Sequence, residues 1–190
     1  RDRAESIANT IPTDFETAAD AVGAVNTRFG ETGDQLEELS TAFVKFSRLN
    51  NTNVVDSVND VQKAMKAFSV DTKDATKVLD AITAAGQKYG VSASMIQSSL
   101  TQNAATFQQM GMSIADATDF LGKCETSGIE VTEMMSGLQR AMKTAASDGK
   151  SVSEALAEVQ NKMSGASDET EALNEAYDLF GRKGANVYQA

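Results

Sequence analysis

The stretch DTKDATKVLDAI, residues 71–82, decides the fold class. Its apolar residues Ala75, Val78, Leu79 and Ile82 fall at i, i+3, i+4 and i+7, the spacing of one face of an α-helix, and the face continues through Ala85 and Tyr89. Asp71 stands ahead of the first turn, where a side-chain oxygen can satisfy free amides. Asp74 follows where a negative charge favours the positive end of the helix dipole. The phrase recurs in SIADATDFLGKC, residues 113–124. There Ser113, Asp116, Ala117, Thr118, Phe120 and Leu121 replace Asp71, Asp74, Ala75, Thr76, Val78 and Leu79, 42 residues on. A cap-like residue followed by an apolar pair is the chemistry of starting a helix, and it needs no ligand.

The same period runs outward in both directions. Phe15, Ala18, Val22, Val25 and Phe29 form a stripe ending at Gly30. Leu36, Leu39, Phe43 and Phe46 form the next, with Asp34 as its expected N-cap. Asn53 is placed to cap a helix carrying Val54, Val58, Val61, Met65 and Phe68. Beyond Gly90, Ser92 or Ser94 can cap a helix with Ile96, Leu100, Phe107 and Met110, closed by Gly111. The helix begun at Ser113 carries Cys124 and stops at Gly128. From about Thr132 the stripe is Met134, Met135, Leu138, Ala141, Met142 and Ala145. After SDGKS come Val152, Ala155, Leu156, Val159 and Met163, and finally Leu173, Ala176, Tyr177 and Phe180 before Gly181.

These stripes predict about nine amphipathic helices of roughly 12 to 18 residues. Strand alternation is lacking, and Val54-Val55 fits the helical stripe. The expected fold is all-α: short amphipathic helices packed as hairpins in a compact or elongated bundle. Gly30, Gly90, Gly111, Gly128, Gly165 and Gly181 each fall where a stripe runs out, a place that favours positive φ. Gly90-Val91 with Ser94, Ile96 and Leu100 resembles Gly128-Ile129 with Thr132, Met134 and Leu138, but at an offset of 38. The two offsets disagree, so a loosely repeated helical hairpin fits better than a solenoid of fixed period. We expect residues 1–33 to form an N-terminal helical segment linking to the rest of a longer chain, and 34–190 to form the core domain.

The chain has 190 residues, enough to bury a core. It contains one proline, no tryptophan and no histidine, and its net charge is −10. The densest positive stretch, Arg182-Lys183, is far from a phosphate-binding footprint, so direct nucleic-acid binding is not expected. No run of 18 apolar residues occurs. The start, RDRAESIANTIP, has no apolar h-region and no initiator Met, and the end, GRKGANVYQA, stops in mid-pattern. The chain therefore reads as a segment of something longer.

Catalytic chemistry finds little support. The absence of histidine removes Ser-His and Cys-His nucleophiles and most zinc sites. The Gly149-Lys150-Ser151 run echoes a phosphate-binding loop, but Thr144 stands where that loop needs glycine, and no strand precedes it. An EF-hand reading of the same stretch fails because Ala146 and Ala155 occupy ligand positions. The carboxylate pairs Glu37-Glu38, Asp168-Glu169 and Glu130/Glu133 sit at helix starts or on polar faces, where acids stay solvated. Cys124, the one cysteine, takes an apolar-face position and reads as a buried inert thiol. Met134, Met135, Met142 and Met163 would suit a promiscuous partner groove, but they continue the core stripe. No catalytic, cofactor-binding or metal-ligating residue is assigned.

One resemblance emerges from longer stretches. Residues 25–54, VNTRFGETGDQLEELSTAFVKFSRLNNTNV, followed by VQKAMKAFSV and MGMSIADATDFLGKCETSGIEVTEMMSGLQRAM, resemble the globular region of phage tail tape measure proteins of tailed phages and prophages of Gram-positive bacteria. The terminal YDLFGRKGANVYQA is similar to the FG-x-[RK]-x-A element that ends that region. The likeness runs from about Thr13 to the end and carries no active site. It implies a non-enzymatic helical protein of the virion that sets tail length during assembly in the host cytoplasm. It further implies residence in the tail tube lumen and release ahead of the DNA. The implied partners are tail assembly chaperones and tail tube and tip proteins, with the host envelope and self-association as further contacts. No cofactor is implied. The alternative is a helical adaptor or signalling module of a cellular protein.

Helix geometry bears on which part of such a protein this is. One straight helix of the whole chain would span roughly 285 Å at about 1.5 Å per residue. Frequent glycine stops predict a hairpin-rich domain embedded in the tape measure instead of the ruler itself.

Overall fold

The computed structural model describes residues 2–184. Among them are ten α-helices, one 3₁₀ turn and no strand, so the fold is all-α. The helices are α1 (Asp2–Thr10), α2 (Phe15–Phe29), α3 (Gly33–Asn50), α4 (Val54–Ala67), α5 (Ala75–Tyr89) and α6 (Ala93–Gln109). They continue with α7 (Ile114–Thr126), α8 (Val131–Ser147), α9 (Val152–Ser164) and α10 (Glu169–Gly184), and the 3₁₀ turn is Thr72–Asp74. The helix beyond the expected nine is α1. It is short and mostly polar, burying only Ala4 and Ile7, and the chain turns just after it at Ile11-Pro12.

The chain forms two compact units, Arg1–Gly122 and Lys123–Ala190, with the division inside α7. In the first, α2 packs on α3 and α4, α4 on α6, and α5 on α3 and α6, while α1 lies against α2. Phe43, Phe107, Ile82, Ile96, Leu100 and Leu121 are fully buried there. Phe29 lies 5.7 Å from Phe43 and Phe107 5.9 Å from Phe120, ring to ring. Each large side chain taken fully out of water contributes about 1.5–3 kcal/mol. Cross-ties fix the register. Arg3 and Ser6 both donate to Glu37, joining α1 to α3, and Gln62 donates to the Arg28 carbonyl near the end of α2.

The second unit holds α8, α9 and α10, each packed on the other two. Its core joins Ala141 and Ala145 of α8, Ala155 of α9 and Leu179 of α10, with Val159 and Phe180 packed partly against it. Small alanines let the helices approach closely, and Lys162 then bridges Glu158 on its own helix and Glu175 on α10.

Several stripes differ from their sequence reading. In α2 the buried face is Ala18, Ala21 and Val25, whereas Phe15 is 46% exposed and Val22 half-buried. In α10 it is Ala172, Ala176 and Leu179, whereas Tyr177 is 38% exposed. Large apolar residues stand at the margin of these buried faces, while the alanines beside them occupy the centre. The cap of α3 is Thr32, whose side chain makes no cap bond, and Asp34 lies within the first turn. Gly165 does not take positive φ, whereas Gly149 does. Gly181 (φ 75°, ψ 174°) is non-helical and breaks α10 where its stripe runs out, as its place in the sequence indicates. The side chains of Val152, Leu156, Met163 and the Arg182-Lys183 pair, and all of residues 185–190, lie outside the described residues.

Candidate functional site

The two Asp-Ala-Thr phrases build different starts. Ser113 Oγ accepts from the Asp116 amide at 3.1 Å, while Asp116 accepts from the Ser113 amide at 3.2 Å and hydroxyl at 2.6 Å. This is a reciprocal capping box, and the Ser113 hydroxyl, then its amide, hold the Asp116 carboxyl below its ordinary pKa. In the first copy Asp71 accepts from the Lys73 amide at 3.0 Å and opens the 3₁₀ turn. Asp74 occupies the cap position of α5 without capping it and instead pairs with Lys77 at 2.7 Å. The phrase is capping chemistry in both places.

The other candidate groups also resolve into helix ends and ties. Gly149 (φ 68°) closes α8, and Ser151 with Glu154 forms a second capping box at the start of α9. Lys150 pairs with Glu158, so the Gly-Lys-Ser run is a turn between helices. Asp168 accepts from the Glu171 amide at 2.9 Å. Glu130 stands at the cap position of α8 and Glu133 in its first turn. Glu37 is taken by Arg3 and Ser6, whereas Glu38 is exposed, so this pair does not act together. Cys124 is buried, and burial pushes its thiol up to about 11. Met134 and Met135 are buried in the α8 stripe, with Met142 half-buried. Among the described residues no three His, Cys, Asp or Glu side chains gather to hold a metal ion, and no helix is long and apolar enough to cross a membrane.

Two features were not legible beforehand. One joins α5 to α7. Tyr89 donates to Asp119 at 2.6 Å and Lys88 pairs with the same carboxylate at 2.8 Å, which keeps the Lys88 ammonium well above its ordinary range. The other is a groove where α3 and α5 run side by side in the same direction. Its floor includes Leu39, Phe46 and Leu79, and Asn50 closes one end by donating to the Phe46 carbonyl and Thr83 hydroxyl, each at 3.0 Å. At that end Leu49 is 66% exposed. Neither feature has a sequence signal of its own, because each depends on which helices become neighbours.

The described residues thus define an all-α protein whose polar side chains cap helices and tie them together. Residues 1–183 match the phage-related minor tail protein family, and the chain belongs to that family. It is a phage tail protein, a virion component with a structural role. No curated protein and no solved structure matches the chain.

Proposed function

We propose that this chain is a segment of a tape measure protein, which sets tail length during assembly and leaves the tail ahead of the DNA. Membership of a tail protein family across residues 1–183 carries the reading, together with the resemblance already described. In this reading residues 34–190 belong to a domain embedded in a longer chain, and 1–33, which carry α1 and α2, pack into its first compact unit as well as leading in to it. The segment works by packing and contact, without catalysis. Its partners are tail assembly chaperones during assembly and tube and tip proteins in the virion, and its place there is the tube lumen.

The longest helix among the described residues, α3, has 18 residues, which spans about 27 Å at ~1.5 Å per residue. Helices this short, divided by αL glycines such as Gly30 and Gly90, suit a folded domain more than a ruler. In a narrow lumen the fold would have to open into extended helix. Cryo-EM of intact tails tests both statements. The reading expects density for these residues along the tube axis, in extended form. Location outside the lumen would refute the tape measure assignment, and folded helical hairpins inside it would refute the opening.

A further inference from the structure

The groove between α3 and α5 is open along its length among the described residues, and its chemistry selects an occupant. Leu39, Ala42, Phe46 and Leu79 give it an apolar floor. Leu49 at one end is the most exposed large apolar side chain among the described residues, at 66%. The rim carries four carboxylates, Glu31, Glu38, Asp71 and Asp80, against the ammonium groups of Lys45 and Lys73. Glu38 and Asp80 face solvent with no ion-pair partner among the described residues. The lining of α3 runs from Gln35 to Leu49, about 21 Å at ~1.5 Å per residue.

We propose that this groove docks one basic amphipathic helix of a partner protein, about four turns long. Its apolar stripe covers Leu49 and the floor, and its lysines or arginines meet Glu38 and Asp80. This is the helix-in-groove mode, in which apolar anchors supply affinity and the charged rim selects the partner. A second copy of the chain is a poorer occupant, because at a net charge of −10 it would bring further carboxylates to an acidic rim. The inference rests on the groove alone and holds whether or not the chain sets tail length.

The test uses the full chain and two synthetic peptides of about 14 residues, both with leucines at helical spacing, one flanked by lysines and the other by glutamates. Binding is followed by fluorescence anisotropy at physiological salt and mapped by amide chemical shifts. The lysine peptide is expected to bind more tightly and to shift amides of Leu39–Leu49 and Thr76–Thr83. Glu38→Lys with Asp80→Lys should weaken it about ten-fold and improve binding of the glutamate peptide, whereas Asp20→Lys with Glu125→Lys should leave both within about two-fold. Leu49→Asp should weaken the lysine peptide in the same way. All these side chains are exposed, so circular dichroism should show every variant folded. Three results would overturn the proposal: equal binding of the two peptides, shifts spread over the acidic surface irrespective of Glu38 and Asp80, or self-association that Leu49→Asp abolishes.

Discussion

Gly122 lies directly against Tyr89: a β-carbon at position 122 would stand 2.2 Å from Tyr89 Cδ2 and 2.8 Å from Cγ. The tyrosine is poorly placed to yield, because its hydroxyl is bound to Asp119 at 2.6 Å. Lys88 reaches the same carboxylate and lies 4.7 Å from the ring centre. Close approach of α7 to α5 therefore depends on a residue without a side chain.

Gly122→Ala is expected to destabilise the protein by about 1–3 kcal/mol through overpacking, more than the ~1 kcal/mol that alanine gains over glycine in a helix. Urea unfolding measures it. In a Tyr89→Leu background most of the cost should disappear, and a stabilising Gly122→Ala would show that the contact does not constrain α7.

The capping boxes give a second prediction. Ser113→Ala and Ser151→Ala each remove a side-chain bond to a free first-turn amide and the reciprocal partner of an acid. Each should cost about 1 kcal/mol, and Ser→Asp at either site should retain most of it. The two positions lie in different compact units, so thermal melts of the pair also show whether the units unfold together or in sequence.

Stability should respond to acid and not to the neutral range. Hydrogen bonds hold the carboxyls of Asp14, Asp116, Glu154 and Glu171 below their ordinary values, and the Lys150 ammonium does so for Glu158. A carboxyl lowered on folding favours the folded state above its unfolded pKa, here 3.8 for aspartate and 4.5 for glutamate, and loses that contribution as pH falls through the folded value. With no histidine in the chain, no side chain has an ordinary pKa between about 5 and 8. Melting temperature should be flat across that range and fall below about pH 4.5. A step near neutrality would contradict this.

Cys124 is 3% exposed, and burial raises its thiol to about 11. A chromogenic disulfide reagent should react slowly with the native protein and stoichiometrically in denaturant, since the thiolate is the nucleophile. Rapid native labelling would mean that this stretch of α7 opens readily.

Much of the fold is legible in the sequence because caps and stripes are local. Asn53 accepts from the Val55 and Asp56 amides, Ser92 from Met95, and Gly90 takes φ 68°, each at a position the residue types indicate. What escapes is tertiary. Phe15 and Tyr177 have core chemistry but lie at the edge of their helices' buried faces, and Ala21, Ala172 and Leu179 take the centre. The α1 helix is held by Ile7 and by the Arg3–Glu37 pair across 34 positions, which no window on residues 2–10 contains. The groove escapes for the same reason, since Glu38 and Asp80 come together only when α3 and α5 pack.

The tape measure assignment is tested most directly by tail length. If the chain is a segment of a tape measure protein, in-frame deletions within long helical stretches of the full-length protein should shorten tails, seen by negative-stain electron microscopy, by about 1.5 Å per residue removed. Tails of unchanged length after such deletions would contradict the assignment.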